Sequence, residues 1–422
     1  MMKKRCLSVF FCVIVVLGFF MPVSLMGAEP VVIGLPTSLG YLEGYESRDG
    51  ALMAVDEINA QGGVKVGGVA RPFKIVETDT RDSEPGVPVS DALMAYEKLI
   101  LQHKPHAIVT GFFTSESLLA SMDITSKHKL PYLGTIAMSP KLQAKVKENY
   151  DSYKYVFRLC MDAVYFVKSY LSVLKKINTD FGFTRAFILT EEALWAKAIG
   201  GMTSKWLKGQ GWEVTGHQTF PKGISDFSPS LLKVRNTKAQ VIVFICSRPE
   251  SVIFADQWRT MRIPALLTGC IPPLCGEDIW KVHKGKVNGI INLVEAGTLA
   301  VETMPASVKF HEDYRKRYGK PPGASHGTGA AYEAVYVLKE AIERAGTLDG
   351  DKLVSELEKT DRIGATGRLR FDKGHQAVFG VDPNEACMIF DFQWQKPGKR
   401  VVIAPKAVAT GNIQLPEWMG KK

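Results

Sequence analysis

Cysteine is scarce in this chain: its 422 residues include only seven, and Cys6 and Cys12 fall within the first apolar segment. The other five are Cys160, Cys246, Cys270, Cys275 and Cys387. They form no C-x-x-C pair and no Cys/His cluster, which argues against a structural zinc site. Cys160 and Cys246 lie in apolar, strand-like runs and are expected to be buried thiols, whereas only Cys270 and Cys275 are close enough in sequence to suggest a disulfide.

Catalytic and nucleic-acid-binding motifs are also missing. The sequence has no G-x-S-x-G, no H-E-x-x-H and no Walker loop, and "GTGAA" at 327–331 is not a dinucleotide-binding fingerprint. The eight histidines are dispersed, and the basic residues are scattered rather than gathered into a tract with aromatic residues. We therefore expect neither an enzyme nor a nucleic-acid-binding protein, and no cofactor or metal.

Long apolar runs are limited to the N-terminus. The run at 6–23 follows three basic residues at 3–5 and precedes the small residues Gly27 and Ala28. This order is typical of a secretory signal peptide cleaved near Ala28. The alternative, an uncleaved membrane anchor, requires about 20 apolar residues, and polar and helix-breaking residues interrupt this run. The mature chain, 29–422, is then expected in the periplasm, where it is long enough for two domains.

Short apolar runs alternate with helical patterns along most of the mature chain. The first set of runs lies at 31–36, 73–79, 106–111 and 131–135, and a second set begins at 185–190 and ends at 264–269. These runs are continuous rather than alternating, which is typical of parallel strands buried on both faces. The pattern predicts an α/β protein with two doubly wound, Rossmann-like lobes.

Two further features concern helices. Residues 37–48 contain two glycines and two tyrosines and are expected to form a loop, with a helix starting at Asp49. Two long helical patterns at 306–319 and 329–346 come after the second lobe has closed. We expect these later helices to return and cover the first lobe.

The order of several segments resembles the leucine/isoleucine/valine-binding family. The export signal is followed by "DGALMAVDEINAQGG" (49–63), "YLGTIAMSP" (132–140), "GRLRFDKGH" (367–375) and "FQWQKPGKRVVIAP" (392–405). Members of this family are periplasmic solute-binding proteins of type I fold that serve ABC importers. The resemblance extends over nearly the whole mature chain.

The resemblance implies two lobes joined by three crossovers, with a ligand bound between the lobes. The implied crossovers lie near 155–158, 288–292 and 382–387. The implied N-terminal lobe is 29–156 plus 290–383, and the implied C-terminal lobe is 157–289 plus 384–422.

The first lobe contributes two candidate segments that resemble a carboxylate cradle. Thr114 and Ser115 lie where a strand ends and a helix begins, and Ser115 matches the family serine that helps to hold a carboxylate. Alternatively, one of the two is only the helix N-cap. In the matching loop, Ile136 and Ala137 are placed at the ligand, while Met138 stands where the family usually has threonine or serine. A thioether cannot donate a hydrogen bond, so the usual amino-acid geometry is weakened.

Further first-lobe candidates are Tyr41, Glu43 and Tyr45. They belong to the segment that, in the family, leans over the cleft. Each is either a ligand contact or an ordinary surface-loop residue.

The second lobe contributes Trp195, Ser247 and Arg248. Trp195 aligns with a cleft aromatic residue, and the alternative is a tryptophan packed beneath the following helix. Ser247 and Arg248 follow a strand at the cleft edge. Arg248 is either a bidentate clamp for a carboxylate or a surface arginine.

Ile271 departs most from the family, which often has at this place a glutamate that receives an α-ammonium group. An ammonium group in a dry cleft without a carboxylate partner is costly. Position 271 therefore disfavours a standard branched-chain amino acid. Glu191 and Glu192 are the alternative partners, although glutamates at a strand end are more often solvated.

Together these residues predict a monomeric, non-enzymatic binding protein. Its ligand is expected to be a small carboxylate-bearing solute, such as an aromatic or branched organic acid lacking an α-amine, and its partner the membrane permease of an ABC importer. Two other functions stay open: the ligand-presenting subunit of an extracytoplasmic sensor, and an exported hydrolase on a similar fold.

Overall fold

The computed structural model describes residues 28–420, so all of the predicted signal peptide except Ala28 lies outside the described residues. The first part of the chain alternates strands and helices as predicted. Its elements are β1 (Val31–Thr37), α1 (Leu42–Ala60), β2 (Val64–Val66), β3 (Val69–Arg71), β4 (Phe73–Asp79), α2 (Val89–His103), β5 (Ala107–Thr110), α3 (Ser115–Lys127), β6 (Tyr132–Gly134), α4 (Lys141–Glu148), α5 (Tyr150–Tyr153) and β7 (Val156–Arg158).

Five of these strands form the first sheet, in the order β4-β1-β5-β6-β7 with every pair parallel. Strands β2 and β3 form a separate antiparallel ribbon. Helix α1 begins at Leu42, seven residues earlier than the expected start at Asp49. Tyr41 is its N-cap residue, and Glu43 and Tyr45 lie in its first turns rather than in a loop.

The second part of the chain repeats the alternation. Its elements are α6 (Ala163–Phe181), β8 (Arg185–Glu191), α7 (Leu194–Gly209), β9 (Glu213–Phe220), α8 (Ser228–Asn236), β10 (Val241–Ile245), α9 (Glu250–Thr260), β11 (Leu266–Cys270), α10 (Ile279–Val282) and β12 (Ile291–Glu295). Strand β10 shows why these strands form, because all five of its residues are apolar, mostly β-branched and buried. Helix α6 is capped by the Asp162 side chain and ends at Gly182, which has the positive φ that favours glycine.

The last part of the chain contains three helices and five strands. They are α11 (Pro305–Tyr318), α12 (Thr328–Ala345), α13 (Gly350–Leu357), β13 (Arg362–Gly364), β14 (Gly367–Leu369), β15 (Phe379–Gly380), β16 (Cys387–Gln395) and β17 (Lys399–Ala404). Helix α12 packs along α1, as expected for helices that return to the first lobe. The approach is close: a Cβ atom on Gly50 would lie 2.4 Å from the Thr328 carbonyl oxygen.

The second sheet runs β13-β14-β16-β12-β11-β10-β8-β9, with β15 and β17 also paired to β16. Strands β8 to β12 are parallel to their neighbours, and β16 is antiparallel to β12. Strand β12 therefore belongs with the second lobe, although the predicted division placed 290–383 in the first. The three crossovers and the other lobe boundaries stay predictions.

Both sheets are covered on both faces by buried apolar side chains, which fits two doubly wound lobes. From residue 28 to residue 420, every helix falls short of the length and apolarity that crossing a bilayer requires.

Candidate functional site

The loops that follow the carboxyl ends of the strands in the two sheets enclose two adjoining cavities between the lobes. We name them the Glu43 cavity and the Arg248 cavity after one residue of each. Their empty volumes, which include space open to solvent, are about 350 and about 360 Å³. In α/β proteins, this edge of a sheet is where ligands bind.

The Glu43 cavity has walls from both lobes. The first lobe contributes Glu43, Phe113, Ser115, Ile136, Met138 and His326. The second lobe contributes Trp195, Ser247, Cys270 and Pro272. Most of these side chains are apolar, and Lys and Arg are absent from the described residues that line this cavity.

The Arg248 cavity shares Phe113, Trp195 and Ser247 with its neighbour. Its other walls are Tyr41, Ser83, Thr114 and Glu116 from the first lobe, and Glu191, Ala193 and Arg248 from the second. The Tyr41 and Phe113 rings lie 5.5 Å apart between centroids. The two lobes touch beside it, where the Leu194 N–H donates to Glu116 Oε1 at 3.4 Å.

Ser115 is the first residue of α3 and faces the loop at 136–138. Its Oγ accepts a hydrogen bond from the Ser139 N–H at 3.1 Å, which ties the helix start to this loop. Within residues 28–420, no hydrogen bond is donated by the backbone N–H groups of Ile136, Ala137 and Met138. A buried N–H group without a partner is costly. The loop and the helix N-terminus together therefore provide a suitable place for an anion.

Thr114 has the N-cap role that the sequence left as an alternative. Its Oγ1 accepts from the Ser117 N–H at 3.3 Å. The same hydroxyl donates to Asp82 Oδ2 at 3.0 Å, and Asp82 Oδ2 also accepts from the Thr114 N–H at 2.7 Å. Thr114 lines the Arg248 cavity, but its hydroxyl is already occupied by these contacts.

Glu191 organises the second-lobe side of the cleft. It is buried, in contrast to the solvated strand-end glutamate that the sequence favours. Its Oε1 accepts from Trp195 Nε1–H at 3.0 Å and from the Ser247 hydroxyl at 2.9 Å, and its Oε2 accepts from the Ser247 N–H at 3.2 Å. Arg248 Nε lies 3.3 Å from Glu191 Oε2, so Arg248 is half of an ion pair. Burial raises the pKa of Glu191, although the neighbouring Arg248 favours the ionised form.

Glu43 and His326 lie in the wall that the first lobe contributes. The Glu43 side chain is 2% exposed, and its Oε1 has no hydrogen-bond partner within the described part of the chain. Burial raises the pKa of Glu43 to about 7. His326 Nε2 lies 3.0 Å from the Ile136 carbonyl oxygen and must donate to it, while Nδ1 lies 2.9 Å from Ser325 Oγ. Burial lowers the pKa of His326 to about 4, so this ring is neutral at pH 7.

Nine of the twelve sequence-predicted site residues line the cavities, namely Tyr41, Glu43, Thr114, Ser115, Ile136, Met138, Trp195, Ser247 and Arg248. Tyr45, Ala137 and Ile271 do not. Tyr45 is partly exposed beside Lys320. Ala137 packs in the first-lobe core, and only its backbone is available to a ligand. Ile271 is fully buried in the second-lobe core, while its neighbours Cys270 and Pro272 face the Glu43 cavity.

Sequence reasoning missed Phe113 and His326. Phe113 directly precedes the predicted Thr114, so its place at the strand end was a usable signal. His326 lies just before α12, far in sequence from the other site residues, and no local pattern marked it.

The suggested disulfide is absent: the five cysteines of the described chain are all free and buried. Cys270 lines the Glu43 cavity, whereas Cys275 Sγ lies 3.1 Å from Asn292 Nδ2 in the second-lobe core. The two thiols therefore have different surroundings despite their closeness in sequence. The expectation that Cys160 and Cys246 are buried thiols is confirmed.

Two α/β lobes that enclose a cavity at the carboxyl ends of their strands define a two-lobed solute-binding protein. A family model described as "Periplasmic binding protein" matches residues 36–386. The chain therefore belongs to the periplasmic binding protein family, and it is a solute-binding protein of the ABC-transporter type. This family consists of binding proteins rather than enzymes, which leaves the exported hydrolase without support.

Similar proteins agree with this assignment. Leu/Ile/Val-binding protein homolog 7 of Brucella suis is 24% identical over 391 residues, which are 89% of this chain and 91% of that protein. The substrate-binding protein LivJ of Streptococcus pneumoniae, solved with isoleucine, has a TM-score of 0.73 and 22% identity and covers 89% of this chain and 100% of its own. A solute-binding protein of Rhodopseudomonas palustris, solved with 3,4-dihydroxy benzoic acid, has a TM-score of 0.71 and 15% identity, with coverage of 89% and 96%. The predicted resemblance and fold are confirmed.

Proposed function

We propose that this protein captures a small carboxylate-bearing solute in the cleft between its lobes and delivers it to the membrane permease of an ABC importer. It acts as a monomer in the periplasm, after removal of the signal peptide near Ala28. The observation that carries the proposal is the set of free backbone N–H groups in the loop 136–138 beside Ser115, which faces a cavity lined mostly by apolar side chains.

The carboxylate of the solute binds at the start of α3. Three backbone N–H groups of the loop lack a hydrogen-bond acceptor in the described chain, and the positive end of the α3 dipole favours an anion there. Ser115 Oγ already accepts from Ser139, but its hydroxyl hydrogen is still available for a carboxylate. Met138 contributes its backbone N–H and not a side-chain donor.

The body of the solute is apolar or aromatic. Phe113, Ile136, Met138 and Trp195 line the Glu43 cavity, and a pocket of this kind gains affinity mostly from burying apolar surface. The two ligand-bound neighbours hold isoleucine and 3,4-dihydroxy benzoic acid, which are both small carboxylic acids.

The presence or absence of an amino group divides this class of solute. The first candidate is an acid without an α-amine, which Ile271 favours because this side chain offers no carboxylate to an ammonium group. The second candidate is an acid that also carries an amine, which the buried Glu43 favours. Both solutes belong to the proposed carboxylate class.

Thermal denaturation of the protein 29–422 against a panel of solutes tests the proposal. The panel contains amino acids, aromatic and aliphatic carboxylic acids, and the uncharged amides of the same acids. A ligand at about 100 times its dissociation constant should add about 2.7 kcal/mol to the free energy of unfolding. We expect shifts with carboxylates and none with the matching amides.

Ser115→Ala provides the matched variant. It should weaken carboxylate binding about tenfold or more, the usual effect of removing a hydrogen bond to a charged group. Ser126→Ala, at the other end of α3, is the control and should bind as the unchanged protein does. Equal shifts with acids and amides, or no shift with any carboxylate, would contradict the proposal.

A further inference from the structure

Two buried glutamates near the cleft each have a cation: Lys320 Nζ lies 3.6 Å from Glu46 Oε1, and Arg248 Nε lies 3.3 Å from Glu191 Oε2. Asp82, beside the Arg248 cavity, has no ion pair, but its carboxylate oxygens accept hydrogen bonds from Thr80 and Thr114. Over residues 28–420, Glu43 forms no ion pair, and its Oε1 has no hydrogen-bond donor. The charge of an ionised Glu43 is therefore unbalanced.

The other titratable groups near Glu43 do not correct this imbalance. Both ring nitrogens of His326 are occupied by hydrogen bonds, and its ring is neutral. The thiols of Cys270 and Cys275 approach from the second lobe, and burial raises their pKa well above the usual range, so both are neutral. Glu46 and Glu191 are acids and raise the pKa of Glu43 further.

Glu43 is positioned to meet a ligand. It lies in the first turn of α1, two residues after the N-cap residue Tyr41, and it lines the same cavity as Ser115. Its side chain is 98% buried in the absence of a solute, and its Oε1 lacks a donor. Backbone N–H groups of Glu43 and Ser325 favour its ionised form, yet a buried carboxyl oxygen without a donor is rare and costly in a structural position.

We infer that Glu43 is a specificity-determining residue, and that it pairs with a cationic amino group on the solute whose carboxylate binds at the start of α3. This inference rests on the proposed function and names the solute class as zwitterionic. The amino group of the solute then balances the charge of Glu43, as Lys320 and Arg248 balance the charges of Glu46 and Glu191.

Ile271 suggested a cleft without a carboxylate for an ammonium group. Glu43 provides one from the first lobe, on an element that sequence reasoning had assigned to a loop. Ile271 itself is part of the core and takes no part in the choice of solute.

Titration calorimetry with matched pairs of solutes tests this role. The pairs are L-leucine with 4-methylpentanoate, and L-phenylalanine with 3-phenylpropanoate, in which the second member lacks only the amine. We expect the unchanged protein to prefer an amine-bearing member. Glu43→Gln should reduce this preference by about a hundredfold, as expected when one partner of a buried ion pair is removed. Glu302→Gln, which alters an exposed glutamate that lines neither cavity, should leave the preference unchanged.

Proton exchange on binding gives a second readout that needs no variant. Because the pKa of Glu43 is about 7 in the empty cleft, a cation beside it should lower the pKa and release protons at pH 7. Binding heats measured in phosphate and in Tris buffer, which differ in ionisation enthalpy, report this release. Net proton uptake would overturn the inference.

The remaining outcomes separate the inference from the proposed function. If amine-free acids bind as tightly as their amine-bearing partners, or if Glu43→Gln leaves the preference unchanged, the inference fails while carboxylate capture stands. If neither member of any pair binds, and no other carboxylate does, the proposed function fails and the inference fails with it.

Discussion

Arg248 and Glu191 form a buried ion pair in the second-lobe wall of the cleft. Removal of one partner leaves an uncompensated buried charge, so Arg248→Met should lower the free energy of unfolding by about 3 kcal/mol at pH 8. The double variant Arg248→Met with Glu191→Gln should recover most of this loss. Urea denaturation of the single and double variants checks the prediction. Equal stability of the two, together with a large loss of carboxylate affinity, would instead make Arg248 a ligand clamp.

The pKa of Glu43 predicts how the stability of the empty protein depends on pH. Its pKa rises from 4.5 in the unfolded chain to about 7 in the folded one. Between these two values the folded protein holds a proton that the unfolded chain has lost, so its contribution to stability is full below pH 4.5 and decreases as the pH rises to about 7. The loss is on the order of 3 kcal/mol.

Glu43→Gln isolates this contribution. Because glutamine cannot ionise, the stability of the variant should fall less between pH 5 and pH 8 than that of the unchanged protein. Urea denaturation at each pH, with Glu192→Gln as the control for an exposed carboxylate, measures the difference. Parallel pH profiles of Glu43→Gln and the unchanged protein would show that the Glu43 carboxyl group is ionised and satisfied in the folded state.

Individual site residues were predictable where a strand end coincided with a helix start. Ser115 and Ser247 follow recognisable strands, and both line the cleft as predicted. Ile271 was predicted to line the cleft, but its neighbours Cys270 and Pro272 do so instead. The sequence does not show which side chains after β11 face the cavity and which face the core. Glu43 was undecided because its burial depends on contacts with the second lobe.

Helix α3 offers a test at the scale of an element. Thr114 caps the helix and also binds Asp82, whereas Ser115 lies one residue further at the predicted carboxylate site. Thr114→Ala should lower the free energy of unfolding by about 1 kcal/mol or somewhat more, with a smaller effect on solute affinity than Ser115→Ala. Chemical denaturation and calorimetry on both variants compare the two effects. A larger loss of affinity for Thr114→Ala would assign the ligand contact to the cap residue.

Secondary structure elements followed from the sequence wherever an apolar run was continuous and bounded by turns. Strands β1, β5 and β8 match the predicted runs almost residue for residue. Helix α1 is the main exception at its start, because its glycines and tyrosines are poor helix signals. Tertiary contacts outweigh this weak propensity, since the buried face of α1 packs against α12.

Thiol chemistry tests the whole molecule. The five cysteines of the described chain are free and buried, so the folded protein 29–422 should react slowly with Ellman's reagent. Unfolding in urea without a reductant should expose five reactive thiols per chain. A count of three after unfolding would indicate a disulfide, such as the one suggested between Cys270 and Cys275.

The two-lobed arrangement was predictable because parallel strands, returning helices and segment order each indicated it. The position of β12 was not, because a strand at a crossing can continue either sheet. Its pairing with β11 and β16 is a long-range contact that no local pattern encodes. The charge balance of the cleft was equally hidden, since it depends on side chains from both lobes.

The most direct measurement of carboxylate capture is a crystal structure of the protein with the solute that binds most tightly in the panel. We predict a carboxylate within hydrogen-bond distance of Ser115 Oγ and of the backbone N–H groups at 136–138, with the apolar body against Phe113 and Trp195. A solute bound outside the cleft, or bound with its carboxylate away from the start of α3, would contradict the proposed mode of binding.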